Sequence, residues 1–274
     1  MGKLLIGFVL VCGSTFAGCS KQPERTDLES ASADLESASR VEVDDADGFS
    51  SEIGAGGAEA AMDAESDKAV AYFEAGIAAY QANDLPLANQ EFLAAAKEGH
   101  ADSQFNLAVM YEHGIGVGKD EKEAVEWYRK SAAQGNAAAQ FNLGVLYENG
   151  RGTQVDFAKA NEWYRKASLQ GDALAIGNLG MLYVRGQGVK ESKIAGVALL
   201  MLSATQDPSP ENHARQNITA TRGLTSEMVV KAQGLSEKMS SARNLLVPLD
   251  RYLLESDNSL EKTSNPPQAA EENR

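Results

Sequence analysis

Cysteine is almost absent from this sequence of 274 residues. Its two cysteines, Cys12 and Cys19, both lie among the first twenty residues, so neither a disulfide nor a cysteine-based zinc site can stabilise the rest of the chain. Basic residues are also scarce, because 25 Lys and Arg are outnumbered by 39 Asp and Glu, and the formal net charge is −14. We therefore expect no nucleic-acid partner, since phosphate binding requires clusters of Lys and Arg.

Catalytic motifs are missing as well. The three histidines, His100, His113 and His213, are scattered and lack the i, i+4 spacing of a zinc-binding helix. No Gly-x-Ser-x-Gly nucleophile elbow occurs. No pair of carboxylates is set among apolar neighbours that would raise a pKa. We therefore expect no catalytic residue, no metal and no cofactor.

The first eighteen residues are predicted to be a signal peptide. Lys3 precedes an apolar run from Leu4 to Val11, which is too short to span a bilayer and fits the hydrophobic segment of such a peptide. Residues 16–19, with the sequence Phe-Ala-Gly-Cys, resemble a bacterial lipobox, in which the first of these positions is usually Leu. The resemblance implies that Cys19 is acylated and becomes the first residue of the mature protein.

Several acyl chains on one cysteine would give a stable membrane anchor. Ser20 follows Cys19, and the sorting rule implied by the same resemblance favours the outer membrane when this residue is not Asp. An ordinary secretory signal or a short membrane anchor is the alternative interpretation. Both interpretations predict export.

Residues 19–66 are predicted to be a disordered acidic linker. From residue 21 to residue 68 there are 14 acidic and 4 basic residues, and the seven residues from Asp27 are nearly duplicated from Asp34. A segment with this much charge and so few apolar residues cannot bury enough surface to offset its chain entropy. We interpret it as a flexible tether.

The middle of the chain repeats itself with a period of 36 residues, in the units 101–136, 137–172 and 173–208. A fixed period of this length predicts a repeat architecture. Equivalent positions carry the same residue types: Leu107, Leu143 and Leu179; Tyr111, Tyr147 and Tyr183; Gly114, Gly150 and Gly186; Gly116, Gly152 and Gly188.

Each unit is predicted to be a pair of helices. Apolar residues such as Leu143 recur at helical spacing, and Gly150 suits the left-handed residue that ends a helix. Asp120, Asp156 and Ser192 share the column before the second helix, where an oxygen is needed to cap it. One pair of helices cannot bury its apolar side alone, so we expect the units to stack into an all-α solenoid.

The pattern Ala-x-x-Gln-Phe-Asn-Leu-Gly-x-x-Tyr-x-x-Gly-x-Gly at residues 137–152 resembles the Sel-one-like repeat, a branch of the tetratricopeptide superfamily. The resemblance covers residues 101–207 and implies a right-handed α-solenoid of helix-turn-helix units. Residues 67–100 resemble a plain tetratricopeptide unit. We expect residues 209–240 to form capping helices and residues 241–274 to be a flexible tail, whose leucines at 245–254 are able to dock on the domain.

The resemblance also implies a binding groove, because the first helices of tetratricopeptide relatives line a concave surface. Asn106, Asn142 and Asn178 occupy one column of these helices, and an amide can both donate to and accept from an extended peptide backbone. Glu112 and Glu148 would make the rim of this groove acidic. The alternative is that each asparagine bonds a neighbouring loop carbonyl and is purely structural. Apolar residues replace the cations of a carboxylate-binding groove, which disfavours a C-terminal carboxylate as the ligand.

The sequence therefore predicts a monomeric, non-enzymatic scaffold or adaptor that binds an envelope protein or peptide. We expect it to be attached to the bacterial outer membrane through Cys19 and to face the periplasm. Two alternatives remain open at this stage. One is an envelope hydrolase acting on peptidoglycan or β-lactam-like ligands, and the other is a surface-displayed or secreted effector that binds host proteins.

Overall fold

The computed structural model describes the backbone of residues 56–264 and the side chains of residues 67–256. The predicted signal peptide, Cys19 and most of the predicted linker lie outside this part. The chain divides into two units, Met1–Ala64 and Glu65–Arg274. In the first, only residues 56–64 are described, and they are helical. All the repeats lie in the second.

Eleven helices and no strand make up the regular structure of residues 56–264. None of these helices is long and apolar enough to cross a membrane. In chain order they are α1 Gly56–Gln81, α2 Leu85–Lys97, α3 Ala101–His113, α4 Glu121–Ala133, α5 Ala137–Asn149, α6 Phe157–Leu169, α7 Ala173–Arg185, α8 Lys193–Gln206, α9 Ala214–Ala220, α10 Ser226–Ser241 and α11 Leu246–Ser264.

Helices α3 to α8 form the three predicted repeats, with two helices in each. Each helix packs against the next along the chain from α2 to α8, which confirms the predicted all-α solenoid of helix-turn-helix units. Asp120, Asp156 and Ser192 cap α4, α6 and α8 as expected, because their side chains accept hydrogen bonds from backbone N–H groups of the first turn. The first helices α3, α5 and α7 each end at a glycine in the left-handed conformation, as at Gly150 (φ 67°).

The core runs through the stacked repeats as one continuous cluster. Leu107, Leu143 and Leu179, which share a column, have no exposed surface, and so each fills the space between helices of its own and the neighbouring unit. Tyr128 and Tyr164 are also fully buried on the second helices. A buried tyrosine needs a partner for its hydroxyl, and both partners lie on the first helices, as described below.

The ends of the domain differ from the prediction. Residues 56–66, predicted to belong to the disordered linker, are the start of α1. Residues 246–264, predicted to belong to a flexible tail, are the helix α11. Leu246 and Leu249 of this helix are buried in the core cluster, as expected for the leucines able to dock on the domain. Burial of the apolar residues on one side of this segment stabilises it as a helix, although the neighbouring residues in the sequence are polar.

Helices α9 and α10 occupy the predicted capping region, and both pack on α8. Ala232, Leu235 and Met239 of α10 are buried and extend the core past the last repeat. Helix α11 then returns over the repeats, where its Asp250 side chain accepts two hydrogen bonds from Arg165 of α6, at 2.6 and 2.8 Å.

Candidate functional site

A band of matched side chains follows one side of the first helices α3, α5 and α7, at positions that recur every 36 residues. We call this band the first-helix face. Its members in α5 and α7 are half-buried, whereas most of those in α3 are buried. They are Phe105 and Phe141, Asn106, Asn142 and Asn178, Val109, Val145 and Met181, and Glu112 and Glu148. All five residues predicted from the sequence to line a groove lie on this face.

Two of the three asparagines are held by tyrosines of the second helices. The Asn142 amide donates from Nδ2 to the hydroxyl of Tyr128 at 3.2 Å, and Asn178 donates to Tyr164 at the same distance. These bonds differ from the structural alternative considered above, because the acceptor is a side-chain hydroxyl of the preceding unit and not a loop carbonyl.

The tyrosine hydroxyls in turn donate to the two glutamates. Tyr128 donates to Oε2 of Glu112 at 2.7 Å, and Tyr164 donates to Oε2 of Glu148 at 2.7 Å. A Glu–Tyr–Asn chain of hydrogen bonds therefore links each of the first two repeats to the next one. Because each hydroxyl both donates and accepts, the chain orients the asparagine amides on the face.

The glutamates are less available to a ligand than the sequence suggested. Arg151 donates to the other oxygen of Glu112 at 2.9 Å and also contacts Glu121, so both oxygens of Glu112 are engaged inside the protein. Glu148 is more open. Its second oxygen lies 3.9 Å from Arg185, and 19% of its side chain is exposed. The expected acidic rim is therefore reduced mainly to Glu148.

Burial and the neighbouring carboxylate both act on the tyrosines. Removal from water raises the pKa of Tyr128 well above its ordinary value, and the negative charge of Glu112 raises it further. The pKa of Tyr164 is raised by the same two causes, with Glu148 as its neighbour. Both hydroxyls therefore keep their protons at neutral pH and remain the donors in the chain.

The first junction lacks the same chain of bonds. Phe92 occupies the column of Tyr128 and Tyr164, so no hydroxyl is present at this position. The Asn106 amide nitrogen is consequently buried without a hydrogen-bond partner in the described structure. The ring of Phe92 closes directly on Gly76, where an added Cβ would come within 2.6 Å of it. Asn106 therefore differs from Asn142 and Asn178 in both partners and exposure.

The role of the tyrosines was missed at the sequence level. Tyr128 and Tyr164 do recur with the 36-residue period, but recurrence of an aromatic residue in a helix indicates packing at least as strongly as hydrogen bonding. This hydrogen bond joins a second helix to the first helix of the next unit. Because its two residues lie on different helices, the spacing of residues along one helix does not predict it.

Replacing Tyr128 with Phe is expected to destabilise the protein by about 1–3 kcal/mol, because Asn142 and one oxygen of Glu112 lose their buried partner. The midpoint of urea denaturation, followed by circular dichroism, measures this change. Tyr111→Phe is the control, since Tyr111 is only half-buried on α3. Equal midpoints for the two variants would show that the chain of bonds does not stabilise the fold.

No group of three or more His, Cys, Asp or Glu side chains is arranged to hold a metal ion within the described residues. His100 instead caps α3, where its ring nitrogen accepts a hydrogen bond from the Ser103 backbone at 3.2 Å. Burial lowers the pKa of His100, which the nearby Asp102 partly opposes. Its neutral form suits this acceptor role.

Comparison with known proteins identifies the repeats. The family model of the Sel1 repeat matches residues 101–136, 137–172 and 173–208, which are the bounds of the three 36-residue units. A search of curated proteins gave no match.

Two solved structures are similar to this chain. A Sel1 repeat protein from Oxalobacter formigenes is 34% identical with a TM-score of 0.47, over 54% of this chain and 64% of the other. A protective antigen of uropathogenic Escherichia coli with an SLR fold is 26% identical with a TM-score of 0.43, over 77% of this chain and 52% of the other. This chain thus spans less than two thirds of either relative.

Proposed function

We propose that this chain, which carries three Sel1 repeats at residues 101–208, is an adaptor that binds another protein or peptide along its first-helix face. Proteins built from Sel1 repeats generally act as protein-interaction scaffolds. The finer proposal concerns the surface and the partner. The partner is an extended segment of a bacterial envelope protein.

The observation that carries this proposal is the way in which Asn142 and Asn178 are held. Each uses its amide nitrogen internally, while its amide oxygen accepts no hydrogen bond from the described residues. Two oriented acceptors, one repeat apart, suit the N–H groups of an extended backbone. Rotation of each amide is already restricted by its tyrosine, so binding costs little additional side-chain entropy.

The apolar members of the same face supply the rest of the surface. Phe141, Val145 and Met181 are half-buried and lie beside the asparagines. Apolar side chains of a bound segment would bury area against them, whereas the asparagines fix the position of its backbone. Because Glu148 is the most open charge on the face, a basic residue in the partner would be favoured near it.

Partner capture with matched variants tests this proposal. The full chain is crosslinked in envelope extract, and the enriched proteins are identified by mass spectrometry. The double variant Asn142→Ala with Glu148→Ala is expected to lose the enriched partner, because it removes one acceptor and the open charge from the face. The fold should be retained at reduced stability, because Tyr128 keeps Glu112 and Tyr164 keeps Asn178 as a hydrogen-bond partner.

The matched control is Asn106→Ala with Glu112→Ala, the same two changes one repeat earlier. There the asparagine is buried and both glutamate oxygens are bonded inside the protein, so neither side chain is available to a partner. Partner enrichment in the control, together with its loss in the first double variant, would assign binding to the face. Loss in both variants would mean that disturbed packing causes the effect. A partner retained by both would contradict the assignment of the face.

We further propose that Cys19 anchors the protein to the outer membrane, on its periplasmic side. The support is the sequence around Cys19 and the acidic residues after it. Labelling with an alkyne-bearing palmitate tests acylation of Cys19, and membrane fractionation tests attachment of the protein to the membrane. Incorporation that disappears in Cys19→Ser is the expected result, whereas equal labelling of both proteins would exclude acylation at this residue.

A further inference from the structure

Helix α11 packs on α10 and α8, and its Asp250 also bonds α6. Arg165 of α6 donates to both oxygens of Asp250 from Nη2, and its Nη1 lies 3.4 Å from the hydroxyl of Tyr183. Leu246 lines the cleft with this pair, and both Leu246 and Leu249 of α11 are buried. We call this cleft, with its arginine and tyrosine, the α6 groove.

One repeat earlier the arginine and the tyrosine recur, and within the described residues the arginine bonds no helix from beyond the repeats. Arg129 of α4 lies 36 residues before Arg165, and its Nη2 atom is 3.4 Å from the hydroxyl of Tyr147, the counterpart of Tyr183. The α4 groove, as we call it, comprises Glu126, Arg129, Tyr147 and Lys159, which are joined by contacts, together with Lys130 and Val155, the counterparts of Lys166 and Glu191 in the clefts beside α11.

The arginine adopts a different pairing in the two grooves. In the α4 groove, Arg129 bonds Glu126 of its own helix at 2.7 and 2.8 Å. In the α6 groove, Glu162 occupies the equivalent place, yet Arg165 bonds Asp250 of the docked helix. The exposed fraction of the side chain falls accordingly, from 45% at Arg129 to 25% at Arg165.

Two of the sequence differences between the α4 groove and the α6 groove bear on an incoming helix. Lys159 stands where the later repeat has Ala195, and its Nζ atom lies 5.2 Å from the centre of the Tyr147 ring. Val155 stands where the later repeat has Glu191, and 54% of it is exposed. Glu191 lines the cleft against Tyr252 and Leu253 of α11, so Val155 is placed to contact an incoming helix.

We propose that the α4 groove binds an acidic amphipathic helix of a partner protein, in the way that the α6 groove holds α11. A carboxylate of the partner takes the place of Asp250 and bonds Arg129 beside Tyr147. A second carboxylate reaches Lys159 and competes there with Asp156, which lies 3.2 Å from its Nζ atom, and an apolar residue covers Val155. This surface is distinct from the first-helix face, and its occupation does not depend on the function proposed for that face.

Exchange of the Arg129 partner, from Glu126 to a carboxylate of the docked helix, is energetically favourable. The pair between Arg129 and Glu126 is exposed and lies within one helix turn, so its loss costs little. A docked helix would exclude water from Arg129 and Tyr147, which strengthens the new ion pair. Helix α11 shows the pattern that is needed, since Leu246, Asp250 and Leu253 fall on one side at helical spacing.

The test uses fluorescence anisotropy with the full chain and a labelled synthetic peptide that has the sequence of residues 244–264. We expect saturable binding in the micromolar range. Arg129→Ala should weaken it by about tenfold, which corresponds to loss of one ion pair. The peptide carrying Asp250→Asn should bind the unchanged protein with an affinity lowered by a similar factor. Arg215→Ala removes an exposed arginine of α9 that belongs to neither groove, so it is the control and should leave the affinity unchanged. Arg165→Ala is the comparison for binding in the α6 groove.

Three outcomes would overturn the proposal. Absence of saturable binding up to about 1 mM peptide would show that the α4 groove does not accept a helix. Binding weakened by Arg165→Ala and not by Arg129→Ala would mean that the peptide merely displaces α11. A dimer of the full chain that sedimentation detects and Arg129→Ala dissociates would make the occupant a second copy. Thermal melts of each variant establish that a lost signal is not unfolding.

Discussion

Gly152→Ala is expected to destabilise the protein by about 3 kcal/mol or more. Gly152 has φ 65°, a conformation in which a Cβ is itself unfavourable by about 1–2 kcal/mol. A Cβ added there would also come within 3.0 Å of the carbonyl oxygen and carbon of Glu121, the first residue of α4 in the preceding unit. Neither group can move without shifting the helix, and overpacking of this kind adds about 1–3 kcal/mol.

Variants at two other glycines separate the conformational cost of an added Cβ from the cost of its steric contact. Gly135 has φ 97° but nothing within 4 Å of an added Cβ, so Gly135→Ala measures the conformational cost alone. Gly118 also has open space and is not among the glycines with positive φ, so Gly118→Ala should be close to neutral. In urea denaturation, the loss of stability should be largest for Gly152→Ala, smaller for Gly135→Ala and smallest for Gly118→Ala. Equal losses at Gly152 and Gly135 would show that contact with Glu121 is unimportant.

The recurrence of this contact makes it a property of the repeat. An added Cβ on Gly116 would meet Leu85, and one on Gly188 would meet Phe157. Leu85, Glu121 and Phe157 are the first residues of α2, α4 and α6. The second glycine of each loop therefore lets one unit approach the start of the second helix in the unit before it.

Leu143→Ala is expected to cost about 2–5 kcal/mol. Leu143 has no exposed surface and belongs to the leucine column that runs through the core of the stacked units. Truncation removes buried methyl groups and leaves a cavity between helices that cannot easily collapse. Both the midpoint of urea denaturation and the melting temperature should fall, and the far-ultraviolet spectrum of the remaining native state should be unchanged.

Leu169→Ala provides the control for this truncation. Leu169 ends α6, and 49% of it is exposed, so the same chemical change should cost less than about 0.5 kcal/mol. Similar losses for the two leucines would indicate that Leu143 is not in a packed interior. A loss confined to Leu143 would confirm its place in the core by experiment.

The sequence by itself determined the features that depend on neighbours along the chain. The period of 36 residues set the units, and the turn chemistry of Asp156 and Gly150 set where helices begin and end. Such features can be predicted because a cap or a left-handed glycine acts within a few residues of its own backbone. The leucine column at Leu143 was likewise visible, since burial of one side of a helix imposes its spacing on the sequence.

The tertiary structure alone decided which distant groups meet. Asn142 was a candidate ligand-binding residue in the sequence, and its bond to Tyr128 of the preceding unit appears only when the helices are stacked. Residues 246–264 were assigned to a flexible tail whose leucines dock on the domain. Their helix and its ion pair between Asp250 and Arg165 were not predicted, because that pair joins residues 85 positions apart. Contacts of this kind carry no local signature, since they depend on how the helices pack and not on spacing along one of them.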